Sequence, residues 1–413
     1  MTSVTEGPLR LDQSFFTDPH ALYTVLRQQR PVVSAVTTTG LRVWLVTRYA
    51  DARAALNDPR LGKDSRRFGQ VLDRQLTEPG QRLQFADAIN AHMLSADPPD
   101  HTRLRKLVNR AFTVRTIGGL RPRIEAIAAE LADAMVTGAR AGRSVVDLLD
   151  AFAFPLPMTV ICEVLGVYDT DAEAFRGWSN TLLSDAPLEQ RGAAAFAMQQ
   201  YLSELVVSRR DRPGDDMLSA IVQATEDADR LSEREAVSMA FLLLIAGHET
   251  TVNLIGNGML ALLRNRARMV ELRSDPALTR QAVEELLRFD GPLNTATFRH
   301  TTEPVTISGV EIPADEVVLV ALSSANRDSA QYERPEQLDL HRGDGHLAFG
   351  YGIHHCLGAP LARMEGEIAF RTLLDRFPGM ELAVDPDELS YRSSTLIRGL
   401  NHLPVRLGDI AQR

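Results

Sequence analysis

The longest helical pattern in the chain predicts a helix that is buried on almost every side. It begins at the capping box SERE, in which Ser232 is the N-cap and Glu235 follows three residues later, and it continues to about Arg266. Its first half contains MAFLLLIAG and is apolar nearly all round, which is typical of a helix through the centre of a protein. The fold must therefore enclose this helix. The polar stretch AGHETT, residues 246–251, interrupts it and needs an explanation.

The rest of the chain predicts mainly helix with small β-sheets. Apolar residues at helical spacing predict further helices, and two clusters of alternating apolar residues predict strands. TISGVEI reads as a hairpin that turns at Ser308-Gly309. No repeat or long linker divides the chain, so we expect a single domain over residues 1–413. The predicted helices are Leu120–Val136, Met198–Arg210, Thr279–Phe289 and one from about Pro360 to Phe377, and the strand clusters are Leu41–Arg48 and Ala296–Leu322.

Composition limits the classes of partner. The net charge of −9 argues against a general nucleic-acid binder, which would have a basic surface. We identify no signal peptide, and the longest apolar run, Met239–Gly247, is shorter than the ~20 residues that cross a bilayer. With only Cys162 and Cys356, no disulfide framework is plausible. We therefore expect a cytoplasmic protein without a membrane or nucleic-acid partner.

The stretch FGYGIHHCLG, residues 349–358, leaves four interpretations of Cys356 open. A buried structural thiol suits Cys162, within the apolar VICEVLGV, better than it suits Cys356 among glycines. Structural zinc would need a second pair of ligands, which is missing, and HETTV lacks the second histidine of a zinc protease. A nucleophilic cysteine has no local signature here.

The fourth interpretation is a thiolate ligand to haem iron. Glycines allow the backbone to approach a flat macrocycle, and a helix that starts just after Cys356 would favour the thiolate. No CxxCH occurs, so the haem would be held without covalent attachment. Its propionates would need cations, for which His101, Arg105, Arg299 and His354 are candidates.

Three motifs together resemble the soluble bacterial cytochrome P450 family. FGYGIHHCLG matches the family's haem-binding pattern FGxGxHxCxG, AGHETT matches the oxygen-activation motif of its central helix, and EELLR contains its ExxR pair. The resemblance extends from about Leu11 to about Leu407. It implies the cytochrome P450 fold, a helix-rich prism around a buried haem b, and the activity of a haem-thiolate monooxygenase.

The resemblance also assigns roles to individual residues. It implies that Cys356 is the axial iron ligand and that the haem contacts comprise His101, Arg105, Arg299, His354, Phe349 and Gly350. Glu285 and Arg288 are expected to form a buried network with an arginine, for which we predict Arg342. Glu249 and Thr250 are expected to deliver protons during O–O cleavage. His248 has no predicted role. The expected substrate-lining residues are Leu94, Leu242, Ile245, Ala246, Leu293 and Ile397.

The expected partners are O₂, a small apolar substrate, and a ferredoxin or flavodoxin-like electron donor with its reductase. Arg103, Arg105, Lys106 and Arg110 either form a docking surface for that acidic donor or are a solvated helix face. Similarity to enzymes that tailor macrolide polyketides in antibiotic biosynthesis predicts hydroxylation or epoxidation of such a compound. A terpenoid, a carrier-bound peptide and a xenobiotic are alternative substrates, and a peroxide-driven peroxygenase and a non-catalytic haem sensor are alternative functions.

Overall fold

The computed structural model describes residues 9–38, 40–75, 89–167, 174–175, 177–179, 181–182, 187–226 and 229–411. Helices dominate these residues. They are α1 (Gln13–Thr17), α2 (Pro19–Gln29), α3 (Tyr49–Asn57), α4 (Ser65–Gln75), α5 (Asp100–Asn109), α6 (Val114–Gly119), α7 (Arg121–Arg140), α8 (Pro155–Val164), α9 (Leu188–Asp211), α10 (Met217–Gln223), α11 (Glu233–Arg264), α12 (Arg266–Ser274), α13 (Thr279–Asp290), α14 (Leu322–Ala325) and α15 (Ala359–Arg376). The fold class predicted from the sequence is confirmed.

The strands form small sheets. They are β1 (Leu9–Leu11), β2 (Val32–Thr37), β3 (Arg42–Val46), β4 (Leu61–Gly62), β5 (Val145–Asp147), β6 (Thr225–Glu226), β7 (Asp229–Arg230), β8 (Arg299–Thr301), β9 (Val305–Ile307), β10 (Val310–Ile312), β11 (Val317–Val320), β12 (Glu381–Leu382) and β13 (Pro404–Arg406). The largest sheet that the described residues form has the order β1-β2-β3-β11-β8-β4. The predicted hairpin joins β9 to β10, and Ser308 and Gly309 turn it with φ of 47° and 77°, as a tight hairpin turn requires.

Helix α11 matches the predicted central helix. Its capping box forms, because the Glu235 N–H donates to Ser232 Oγ and the Ser232 N–H donates to Glu235 Oε2 at 2.8 Å. By length and composition α11 could cross a membrane, which the short run Met239–Gly247 did not suggest. However, 67% of its most apolar window is buried inside the protein, as in the core helix of a soluble protein.

The chain divides into two compact units. The first comprises Met1–Leu61, Arg121–Leu156 and Thr250–Arg413, and the second comprises Gly62–Leu120 and Pro157–Glu249. The first unit contains the large sheet and the packed helices α7, α13 and α15. The prediction of a single domain stays a prediction.

In the first unit, the C-terminal half of α11 lies directly against α15. A Cβ atom at Gly258 would lie 2.5 Å from the Phe370 ring, so only glycine permits this approach. The close approach brings polar groups of the two helices within hydrogen-bonding distance.

Candidate active site

The cysteine loop, residues 349–358, is a tight backbone turn that ends at the start of α15. The Cys356 N–H donates to the Phe349 carbonyl at 2.9 Å, and Gly350 and Gly352 have φ of 71° and 76°, a region that favours glycine. A Cβ at Gly352 would lie 2.8 Å from Asn57 Oδ1. The loop leaves Cys356 exposed, whereas Cys162 is buried in α8. Cys356 is therefore not a core thiol.

The donor set around Cys356 fits haem better than a metal held by side chains alone. Among the described residues, no cluster of three or more His, Cys, Asp or Glu side chains could hold a metal ion. A metal bound to Cys356 would need most of its ligands from a non-protein group, as a porphyrin provides. This observation argues against the zinc interpretation.

Two of the predicted propionate partners lie in the first unit. Arg299, on β8, is 5% exposed, and its guanidinium donates to the carbonyls of Leu61 and Leu56 at 3.0 and 3.1 Å. His354 closes the 3₁₀ turn Gly352–His354 two residues before the cysteine and is partly buried. Arg299 is thus a cation anchored by backbone carbonyls.

The other two predicted partners lie in the second unit, on α5. His101 is 3% exposed and Arg105 is half-buried one helical turn later. Burial, and then the charge of Arg105, lower the pKa of His101. Just before α5, the Asp97 carboxylate accepts the Lys63 N–H at 2.9 Å and thereby fixes the entry to the helix.

Helix α5 does not offer all the basic charge that its sequence suggested. Arg103 is paired with Glu235 and, at 3.1 Å, with Asp229, so its charge is neutralised within the second unit. Lys106 and Arg110 are exposed. The predicted docking cluster therefore loses Arg103, because a carboxylate pair from β7 and α11 occupies it.

An accessible stripe runs along α11. Leu242 and Ile245 are partly exposed, Ala246 is exposed and Thr250 is half-buried, whereas residues 251–262 are all buried. Counted from Leu242, the other three residues follow after three, four and eight positions, so all four share one face of the helix. Three predicted substrate-lining residues and the predicted relay threonine therefore lie on a single accessible face.

Glu249 lies beside this stripe and is 3% exposed. Its carboxylate is 3.9 Å from His248 Nε2, and that nitrogen is 2.7 Å from Ser179 Oγ. His248 Nδ1 contacts the Leu244 carbonyl at 2.7 Å. Because a carbonyl only accepts, Nδ1 donates to Leu244, and Nε2 is left for the hydrogen bond with Ser179 Oγ. The ring of His248, for which the sequence predicted no role, is thus held beside Glu249 by hydrogen bonds at both nitrogens.

A second buried carboxyl group lies on α15, in the first unit. Glu365 is 1% exposed and accepts a hydrogen bond from Thr251 Oγ1 at 3.1 Å. Burial raises the pKa of Glu365 to about 8, with the hydrogen bond from Thr251 opposing it, so the carboxyl is mostly protonated at pH 7. Sequence reasoning missed Glu365, because its position in α15 resembled any polar position on a helix.

The shifted pKa of Glu365 predicts a pH-dependent stability. Between its unfolded pKa near 4.5 and about 8, the folded protein holds a proton that the unfolded chain releases, so stability falls as the pH rises. Glu365→Gln should remove this loss. Relative to wild type, its free energy of unfolding should therefore rise between pH 5 and pH 8 by on the order of a few kcal/mol.

This prediction is checked by the thermal midpoints of Glu365→Gln and wild type from pH 5 to pH 8. Glu367→Gln, on the same helix but in an ion pair with Arg121 at 2.9 Å, is the control for removing a carboxylate from α15. A difference between Glu365→Gln and wild type that does not change with pH would contradict the prediction.

The ExxR pair of α13 forms a buried network. Arg288 donates to both carboxylate oxygens of Glu285, at 2.6 and 2.8 Å, and to the carbonyls of Asn326 and Pro335 at 2.9 and 3.0 Å. Arg342 Nε lies 3.3 Å from Glu285 Oε2. Both members of the pair are almost fully buried. The network joins α13 to the segment that precedes the cysteine loop.

The remaining predicted lining residues lie in two places. Leu293 and Ile397 pair with each other in an antiparallel bridge of the first unit, where Leu293 is partly exposed and Ile397 is 8% exposed. Leu94 is partly exposed in the 3₁₀ turn Met93–Ser95 of the second unit. The bridge brings together residues that are far apart in the sequence.

Comparison with known proteins identifies the family that this site belongs to. The family model described as Cytochrome P450 matches residues 70–395. The chain belongs to the cytochrome P450 family. This P450 is a monooxygenase, which uses haem iron, O₂ and externally supplied electrons to oxidise a small molecule.

Individual relatives cover nearly the whole of this P450. It is 47% identical to a vitamin D(3) 25-hydroxylase of Pseudonocardia autotrophica, over 98% of each chain. It is 44% identical to the 6-deoxyerythronolide B hydroxylase of Saccharopolyspora erythraea, over 98% of this chain and 100% of that protein. The solved structure of the tirandamycin C-bound P450 monooxygenase TamI is 50% identical, with a TM-score of 0.88 over 97% of this chain and 100% of that one.

Proposed function

We propose that this P450 hydroxylates a C–H bond, or epoxidises an alkene, of a bulky apolar secondary metabolite. Our first choice of substrate is a macrolide polyketide in antibiotic biosynthesis. The observation that carries the proposal is the accessible stripe on α11, in which small and aliphatic side chains lead to the Thr250 hydroxyl, with the buried Glu249 carboxylate beside it. Similarity to the erythronolide hydroxylase and to TamI supports a bulky secondary metabolite as substrate. Similarity to the vitamin D(3) hydroxylase supports a terpenoid as the alternative substrate.

The proposed cofactor is haem b, whose iron Cys356 Sγ would ligate. His101, Arg105, Arg299 and His354 are the proposed partners of its propionates. Phe349 and Gly350 are proposed as further haem contacts. When bound, the haem supplies the activation of dioxygen, and a thiolate ligand favours cleavage of its O–O bond.

The proposed role of Glu249 and Thr250 is to deliver protons. The Glu249 carboxylate would take up a proton, and the Thr250 hydroxyl would pass it on, directly or through a water. Leu242, Ile245 and Ala246 would exclude bulk water and orient the substrate. Leu94, Leu293 and Ile397 are proposed to complete the apolar lining.

The proposed electron donor is a ferredoxin or a flavodoxin-like protein with its reductase. Lys106 on α5 and Arg110 at its C-cap are exposed and supply basic charge in an otherwise acidic chain, so association with an acidic donor should weaken as salt is added. We propose a cytoplasmic location, where reducing conditions keep Cys356 as a free thiol for haem.

The experiment that tests this function is single-turnover and steady-state oxidation under ¹⁸O₂. The purified holoprotein receives a surrogate ferredoxin and reductase, and macrolactones are compared with sterol-like terpenoids of similar size. Incorporation of one labelled oxygen into a macrolactone is the expected result. Labelled products from the terpenoids alone would contradict the choice of substrate, and the absence of any label in product would contradict the activity.

Thr250→Ala should uncouple the enzyme. Without the hydroxyl, the rate of proton delivery should fall by a factor of about 10² or more, the range typical of acid–base catalysis. Product per NADPH should therefore fall, and release of hydrogen peroxide should rise. Thr250→Ser keeps the hydroxyl and should retain most of the coupling. Unchanged coupling in the alanine variant would contradict the relay and favour a peroxide-driven enzyme.

A further inference from the structure

We propose that Arg363 raises the reduction potential of the haem iron, because it holds a positive charge against Phe349 on the loop that carries Cys356. The inference rests on the proposed haem-thiolate function. Arg363 lies outside the motifs that the sequence indicated, and its proposed effect reaches the iron through the loop and not by direct contact.

The guanidinium of Arg363 lies on the face of the Phe349 ring. Arg363 projects from α15, and its Cζ is 4.4 Å from the ring centroid, a cation–π distance. The carbonyl of Phe349 accepts the Cys356 N–H at 2.9 Å. One residue of the loop therefore contacts both the cation and the backbone of the proposed iron ligand.

An ion pair fixes the guanidinium in this position. Arg363 Nε and Nη2 donate to the carboxylate of Glu284 on α13, at 2.6 and 2.8 Å. The same carboxylate contacts His346 Nε2 at 3.2 Å, and the His346 ring lies 5.9 Å from that of Phe349. A bidentate pair with a third contact orders the long side chain although it is 33% exposed.

The charges of this cluster are permanent at neutral pH. Burial raises the pKa of Glu284, but hydrogen bonds from His346 and Arg363 outweigh it and bring the pKa to about 2. The hydrogen bonds that Arg363 donates to Glu284 are the largest cause that raises the pKa of Arg363.

The sign of the effect follows from Coulomb's law. Reduction adds one electron to the iron, so a nearby cation stabilises the reduced state relative to the oxidised state. The guanidinium is the member of the ion pair that stacks on Phe349, so the positive end of the pair lies on the loop. Glu284 offsets part of the field and limits its size.

The test is an equilibrium dye titration of the holoprotein, without an electron-donor protein, so that docking does not enter. Arg363→Gln should lower the equilibrium constant for reduction about tenfold, which is 59 mV for one electron. Arg363→Lys keeps the charge and should stay near wild type. Arg376→Gln, on the same helix but paired with Asp133 at 2.7 Å and about 20 Å further along the axis, should leave the potential unchanged.

Glu284→Gln separates an electrostatic role from a structural one. Because it removes the anion and keeps the cation, it should raise the potential, in the direction opposite to Arg363→Gln. If Arg363→Gln loses haem, the inference is tested by Glu284→Gln alone. A potential of Glu284→Gln that is lower than or equal to that of wild type overturns the inference. An unchanged potential in haem-loaded Arg363→Gln also overturns it. A wild-type protein without thiolate ligation would overturn the proposed function, and this inference with it.

Discussion

Cys356→Ser reduces product formation to the background of the assay. A serine hydroxyl does not replace a thiolate as a soft, electron-donating ligand, so the variant loses the ligand that favours O–O cleavage. The measurement is product formation with the surrogate reductase system, together with the spectrum of the reduced protein with carbon monoxide. Cys356 is exposed at the tip of the loop, so the substitution itself should cost little stability.

Cys162→Ser is the matched control for this prediction. Cys162 is 4% exposed in α8, and its sulfur lies 3.8 Å from the Met158 sulfur. Its replacement should lower stability modestly and leave the spectrum and the product per haem unchanged. Loss of activity in Cys162→Ser with retention in Cys356→Ser would reverse the assignment of the two cysteines.

Arg288→Met should yield little or no haem-loaded protein. The substitution removes the bidentate donor of the Glu285 carboxylate and the donor to three backbone carbonyls, those of Asn326, Pro335 and Gln337. Arg288 itself is only 1% exposed. Removing one member of such a buried pair costs about 3–5 kcal/mol. The measurements are haem content per protein and the thermal midpoint. Arg280→Met is the control for replacing an arginine of α13 outside the buried network.

Arg280 lies on the same helix, but its side chain is 83% exposed, and it reaches Glu367 only at 3.4 Å. Its replacement should change the free energy of unfolding by no more than about 0.5 kcal/mol. Equal haem content in the two variants would show that the Glu285–Arg288 network is not needed to hold the cysteine loop.

Local patterns predicted the elements that carry the proposed site. The capping box and the apolar run located α11, and the glycines and Pro360 located the cysteine loop and the start of α15. These signals are local, because the capping residue, the turn residues and the helical period lie within a few residues of each other. The predicted contact between Arg342 and the ExxR pair depended on the resemblance.

Contacts between distant segments were not predictable in this way. Glu365 meets Thr251 across 114 residues, Arg363 meets Glu284 across 79, and His248 meets Ser179 across 69. Each pair joins segments that are far apart in the sequence, and the sequence pattern does not specify how such segments pack. Arg103 illustrates the same limit, since a cation that looked exposed is neutralised by carboxylates 126 and 132 residues away.

The central claim is that Cys356 ligates haem iron as a thiolate, and the carbon monoxide difference spectrum of the reduced wild-type protein tests it most directly. The account predicts a Soret band at the position of thiolate-ligated haem, which is absent in Cys356→Ser and present in Cys162→Ser. A band at the histidine-ligated position in freshly purified protein, or no haem at all, would contradict it.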